Sequence, residues 1–223
     1  MTFQDGIWVV GYGSLIFKPP PHYTHRVPGT IQNYKRRMWQ SSTDHRGTCD
    51  TPGRVATLVP CPKSITIVVA YFIPAKYAKL VKEYLDFREK EGYILHSVDV
   101  HLSPSESQKL ELEQSFAKLP VDPLTCRPIV QSMVYIGVEG NSSYVGPEDI
   151  DLTASVVSKA VGPSGDNYEY LKLLYQSLEE IATSMNAALH EVEDEYLKSL
   201  FLATELKINQ SFGTKDLIIA QPS

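Results

Sequence analysis

The chain is short of cysteine, of positive charge and of long apolar stretches, and each shortage removes a class of function. Its 223 residues hold only Cys49, Cys61 and Cys126, an odd number, widely spaced and without a C-x-x-C pair. Neither a disulfide framework nor a zinc site is expected from that pattern, and a reducing compartment suits it. Acidic residues outnumber Lys and Arg, giving a formal net charge of −5. A nucleic-acid backbone or an anionic membrane calls for clustered basic residues. Arg36-Arg37 is too short to serve, so neither partner is expected.

The longest apolar run, 65–73, is interrupted by Thr66 and is far too short to span a bilayer. No basic segment ahead of a hydrophobic stretch marks a secretory signal at the start. The expectation is a cytosolic protein, with the nucleus left open. Catalytic signatures are scarce as well. Neither nucleotide-binding glycine pattern is present, and no G-x-S-x-G elbow supports a hydrolase triad built from Ser41 or Ser42, Asp44 and His45. His22 and His25 have no further ligand partners in sequence, so no metal is expected.

What is present is the composition of an ordinary globular chain, 43% hydrophobic and 21% charged, long enough to bury one substantial core. A single domain over 1–223 is expected, with no internal repeat. A β-rich run, Ile7 to Val10, leads directly into Gly11-Tyr12-Gly13-Ser14-Leu15. Two glycines let the backbone turn sharply and leave its N–H groups uncovered by Cβ atoms, a shape that suits an anion or oxyanion. A plain turn out of an edge strand has the same signature. Segment 29–40 alternates unevenly, as in a bent strand, and 41–52 is a dense polar loop of the sort that walls a site. Segments 53–59 and 65–73 read as two strands joined by a turn at 60–64. Arg54, at the head of the first, is a candidate for fixing a carboxylate.

Tyr77, Leu80, Val81, Tyr84 and Leu85 recur at three- and four-residue intervals, the spacing of one helix face. One more turn of that stripe reaches Arg88 and Glu89, and Gly92 suits the left-handed position after a helix end. Glu89 then points inward. Burial and the negative helix end raise the pKa of its carboxyl, Arg88 lowers it, and a net rise makes an acid–base group useful near neutral pH. The competing reading of Arg88-Glu89-Lys90-Glu91 is a solvated charge run. Segments 94–102 and 129–138 look like strands, and 103–127 is a polar, mobile excursion with a short helix at 108–117. Beyond Pro147 the pattern is helical, with Glu148 and Asp149 near one start and Asn167 capping another. That helix carries Tyr170, Leu171, Leu174, Leu178 and Ile181 at core spacing; its Asn167 to Tyr170 end has both a packing and a ligand-facing reading. A last helix is expected over about 190–208. Strands first, one helix inserted and helices last indicate an α+β fold with a curved sheet or barrel.

Five blocks in order, VVGYGSL at 9–15, R-x-W-Q-x-S-T-D-H-R-G at 37–47, P-G-R-V at 52–55, YLDFREK-x-GY at 84–93 and GPSG-x-N-x-EYL at 162–171, resemble the ChaC family of γ-glutamylcyclotransferases. The resemblance covers nearly the whole chain; the first six residues and the longer 103–127 stretch depart from it. It implies a compact mixed β-barrel with helices packed outside. It also implies a cytosolic, cofactor-free enzyme that releases 5-oxoproline and Cys-Gly from glutathione, with oligomeric state left open. Substrate binding would fall to Val9, Val10, Gly11, Tyr12, Gly13, Ser14 and Leu15, with Arg54 and Tyr170 as further candidates, and acid–base work to Glu89. Two alternatives stay open: a cyclotransferase for other γ-glutamyl amines or amino acids, and a non-catalytic γ-glutamyl-binding module.

Overall fold

A computed structural model of the chain describes residues 6–89, 92–137, 139–185 and 194–219. Five strands close into a barrel: β1 (Gly6–Gly11), β2 (His25–Ser42), β3 (Gly53–Pro74), β4 (Tyr93–Leu102) and β5 (Ile129–Gly137), in the spatial order β1-β3-β2-β4-β5. All neighbours are antiparallel except β5 and β1, which run parallel with Val9 opposite Met133, so the barrel is mixed. The expected α+β barrel is what forms.

β3 sits between β1 and β2, and over 67–73 both of its faces are covered, which is why that stretch is an unbroken apolar run and fully buried. The expected turn at 60–64 is a bulge inside this single strand. β2 stays paired on both sides of it, with Gln32 opposite Ile65 and Tyr34 opposite Pro60. Local bonds satisfy the extra residues: Lys63 N–H donates to Asn33 Oδ1 at 3.0 Å, and Ser64 Oγ donates to the Tyr34 carbonyl at 2.9 Å. Proline, lysine and serine therefore marked a distortion of the ladder where the sequence suggested a reversal.

The helix α1 (Ala75–Arg88) packs on β1 and β3. Its buried face is narrower than the sequence stripe, with Val81 and Leu85 fully covered but Leu80 and Tyr84 exposed. Glu89 is its C-cap, the N–H donating to the Leu85 carbonyl at 2.8 Å. Gly92 adopts the expected left-handed conformation, φ 77°, where a Cβ would collide with Asn141 at 2.5 Å.

The 103–127 excursion holds two short helices, α2 (Glu106–Glu111) and α3 (Glu113–Phe116), in place of the single helix expected. It is tied down by Phe116 in the core, by Gln108 Nε2 donating to the Arg26 carbonyl at 2.8 Å, and by Asp122 at 3.2 Å from His101.

The remaining elements are α4 (Ile150–Val157), a two-strand turn of β6 (Val161–Gly162) and β7 (Gly165–Asp166), α5 (Asn167–Ser184) and α6 (Glu195–Ile219). Asp149 caps α4, accepting from the Asp151 N–H at 2.8 Å. The cap position of α5 is Asp166, one residue before the Asn167 expected. Asn167 instead clamps the head of β3, accepting from Arg54 N–H at 2.6 Å and donating to the Arg54 carbonyl at 2.7 Å. Tyr170, Leu171, Leu174, Leu178 and Ile181 are all buried, as their spacing requires. α6 begins after the expected start at 190, and positions 190–193 lie outside the described residues. Among the described residues no helix is long and apolar enough to cross a membrane.

Candidate active site

Strand β1 leaves the barrel at Gly11, and the chain at once forms a 3-10 turn, Ser14–Ile16, whose first bond runs from Ile16 N–H to the Gly13 carbonyl at 3.0 Å. The amides ahead of that bond have no partner within the turn. A cavity of about 420 Å³ lies beside it. Val10, Tyr12, Gly13, Ser14 and Leu15 line it, whereas Val9 and Gly11 do not. Strand alternation is the reason: Val9 and Gly11 share one face, and Val10 and Tyr12 the other. Gly11 is still in β1, opposite Val69, and a Cβ there would press on Leu15 at 2.8 Å.

Glu89 enters the same cavity from the end of α1, its side chain 17% exposed. Burial pushes its carboxyl above the ordinary glutamate range, the Arg88 guanidinium opposes the rise, and Asp44 reinforces it. Arg88 Nε stands 3.7 Å from Glu89 Oε1, and Arg88 Nη2 donates to Ser14 Oγ at 2.5 Å. One arginine thus bridges the acid and the glycine turn.

Tyrosines form much of the wall. Tyr12 is held at both ends: its hydroxyl donates to the Tyr135 carbonyl at 2.7 Å, and its own carbonyl accepts from Arg36 Nε at 2.7 Å. Arg36 is 1% exposed and also reaches the Ile67 carbonyl and Asp194, the latter at 2.9 Å. Burial lowers its pKa and the Asp194 carboxylate counteracts that. The hydroxyl of Tyr135 meets Asp86, and burial first, then that carboxylate, raises its pKa. The peptide of Ala56 holds two more tyrosines: its N–H donates to Tyr170 Oη at 3.2 Å, and its carbonyl accepts from Tyr93 Oη at 3.2 Å. Burial, with Glu89 adding to it, pushes Tyr170 up to about 12. Tyr170 Oη would also stand 2.9 Å from a Cβ at Gly13, so the absence of a side chain there is what lets α5 close on the turn.

Arg54 is not among the lining residues. It forms a two-pronged ion pair with Glu148, at 3.0 and 2.7 Å, that fastens α4 to β3. The cation on this wall is instead Arg46, from the β2–β3 connection, with Asp44 and His45 beside it. The sequence flagged that connection as a site wall without singling out Arg46. Tyr93 is marked only as the last residue of the 84–93 block, and Tyr135 carried no sequence signal, since a tyrosine in a strand is ordinary core material.

A family model described as "ChaC-like protein" matches residues 7–205. The chain belongs to that family. This ChaC-like chain is 43% identical over 222 residues to a glutathione-specific γ-glutamylcyclotransferase of Saccharomyces cerevisiae, spanning 88% of this chain and 95% of that protein. A Schizosaccharomyces pombe protein of the same description is 36% identical over 211 residues, at the same coverages. The crystal structure of a yeast γ-glutamyl cyclotransferase specific to glutathione superposes with a TM-score of 0.84 at 42% identity, covering 92% of this chain and 97% of that one. The mixed barrel with helices outside is therefore the fold of this group.

Proposed function

We propose that this protein cleaves glutathione by cyclising its γ-glutamyl group, giving 5-oxoproline and Cys-Gly. The observation that carries the reading is a mostly buried carboxylate, Glu89, facing the same cavity as the Gly13-Ser14 turn, in a chain with glutathione-specific relatives of near-equal length.

A γ-glutamyl peptide brings its own nucleophile, because its α-amine and γ-carbonyl close a five-membered ring. Attack of that amine on the γ-carbon forms the ring C–N bond, and collapse of the tetrahedral adduct breaks the C–N bond to cysteine. Well-oriented intramolecular attack reaches effective molarities of ~10⁵ to 10⁸ M, so positioning supplies much of the acceleration. Ionised Glu89 takes a proton from the α-ammonium and, once protonated, returns it to the departing cysteinyl amine; the second proton shed by the ring nitrogen follows the same route, so the products are the neutral lactam and the Cys-Gly ammonium. Backbone amides at Gly13 and Ser14 stabilise the oxyanion, and Arg88 keeps their turn and the acid in register. The raised pKa of Glu89 favours this exchange, because a stronger base accepts the proton and a weaker acid still releases it to an amine.

The three thiols are free, with Cys49 and Cys126 exposed, which suits a reducing compartment such as the cytosol. Purified protein in chelator-treated buffer is to be given glutathione and, separately, γ-glutamyl-alanine, with 5-oxoproline and Cys-Gly read by mass spectrometry. Equimolar 5-oxoproline and Cys-Gly from glutathione support the reading. Preference for γ-glutamyl-alanine would shift the function to other γ-glutamyl amines, and no product from either would leave a binding module.

A further inference from the structure

Glutathione carries a second carboxylate, on its glycine, at the end remote from the ring-closing amine. Shorter γ-glutamyl substrates lack a carboxylate at that distance. A site selective for the tripeptide therefore needs a cation away from Glu89. The charged groups that shift Glu89 are Arg88 and Asp44, and Arg88 is engaged with Glu89 and Ser14. Of the other basic side chains lining the cavity, Lys18 is exposed, and Arg46 sits on the wall built by the β2–β3 connection and the start of α5.

Its side chain is 11% exposed, lines the cavity, and lies with the guanidinium carbon 5.8 Å from the ring centre of Tyr170. The backbone beneath it is fixed. Arg46 N–H donates to Ser42 Oγ at 3.0 Å, the His45 carbonyl accepts from Ser164 N–H at 2.9 Å, and a Cβ at Gly47 would strike Gly53 N at 2.1 Å. Nη1 makes both of the side chain's hydrogen bonds, to the Asp166 carbonyl at 2.8 Å and Glu169 Oε2 at 2.6 Å. Among the described residues Nη2 and Nε have no acceptor. Glu169 is 56% exposed, so its pairing is screened by solvent and yields readily to a second carboxylate. A planar fork with one nitrogen anchored and its other donors free is suited to a carboxylate.

We propose that Arg46 binds the glycyl carboxylate and thereby selects the tripeptide over shorter γ-glutamyl compounds, a role that rests on the function proposed above. The test compares glutathione with its glycine monoethyl ester, which keeps every reacting atom and replaces the distal carboxylate with a neutral, larger ester group. The enzymes are wild type, Arg46→Met and Arg46→Lys. Wild type is expected to favour glutathione in kcat/KM by roughly 10- to 100-fold, the worth of a charge-assisted hydrogen bond. Arg46→Met is expected to lose about that factor with glutathione while handling the ester as wild type does, bringing the ratio near one, and Arg46→Lys is expected to recover part of it.

Equal use of acid and ester by wild type overturns the assignment without any variant having to fold. An equal loss on both substrates in Arg46→Met also overturns it, because that marks a structural role. Absence of 5-oxoproline from both peptides with wild type would instead overturn the function itself, and this assignment with it.

Discussion

Arg88 reaches from the end of α1 to Ser14, donating from Nη2 to Ser14 Oγ at 2.5 Å, while its Nε stands 3.7 Å from Glu89. The acid and the glycine turn come from segments 74 residues apart, and this side chain sets their separation.

Glu89→Gln is expected to preserve the fold and to lower kcat by about 10² to 10⁴, the usual worth of an acid–base group. Circular dichroism and a 5-oxoproline assay check the two halves separately. Activity near wild type in a folded variant would remove Glu89 from the mechanism.

The same variant should be the more stable one at neutral pH. Because burial raises the folded-state pKa of Glu89, this group favours the native state below its unfolded value, and that contribution is lost as pH rises through the folded value. Ionised Glu89 therefore costs stability at pH 7. Melting curves of Glu89→Gln should lie above wild type there and merge with it below about pH 4, where both side chains are neutral. A variant that melts lower at pH 7 contradicts this.

Arg88 opposes the rise at Glu89, so Arg88→Met should move the acid limb of kcat/KM to higher pH. Wild type itself should show that limb above the ordinary glutamate range. A limb unmoved by the substitution would show that another group titrates.

Gly13→Val places a Cβ 2.9 Å from Tyr170 Oη and 3.3 Å from Ala56 Cβ. Overpacking of this kind costs about 1–3 kcal/mol, and here the atoms that must yield are those of the cavity wall. Lower thermal stability together with a raised KM is expected; unchanged kinetics would separate Gly13 from the site.

Arg54→Met should behave in the opposite way. The Arg54–Glu148 pair is 13% and 11% exposed on its two sides, and losing one partner strands the other, at a cost of about 3 kcal/mol. Denaturant unfolding should register that loss while KM for glutathione stays close to wild type. A large rise in KM would return Arg54 to the binding site.

Local chemistry in the sequence determined the strand that feeds a glycine turn, the helix ending at an inward acid, the core face of α5 and the left-handed Gly92, because spacing and backbone freedom act over a few residues. It did not determine that 60–64 is a bulge, since the same residues serve a turn or a distorted strand until β2 is seen paired on both sides. Nor did it determine the company each polar group keeps. Arg54 and Arg46 are both arginines flanking one loop; only closure of the barrel sends the first to Glu148 and the second to the cavity wall. Tyr93, Tyr135 and Tyr170 enter the site from three separate elements, and Asn167 seats the last of them by clasping Arg54. Such meetings depend on contacts distant in the chain, and those exist only once the tertiary structure has formed.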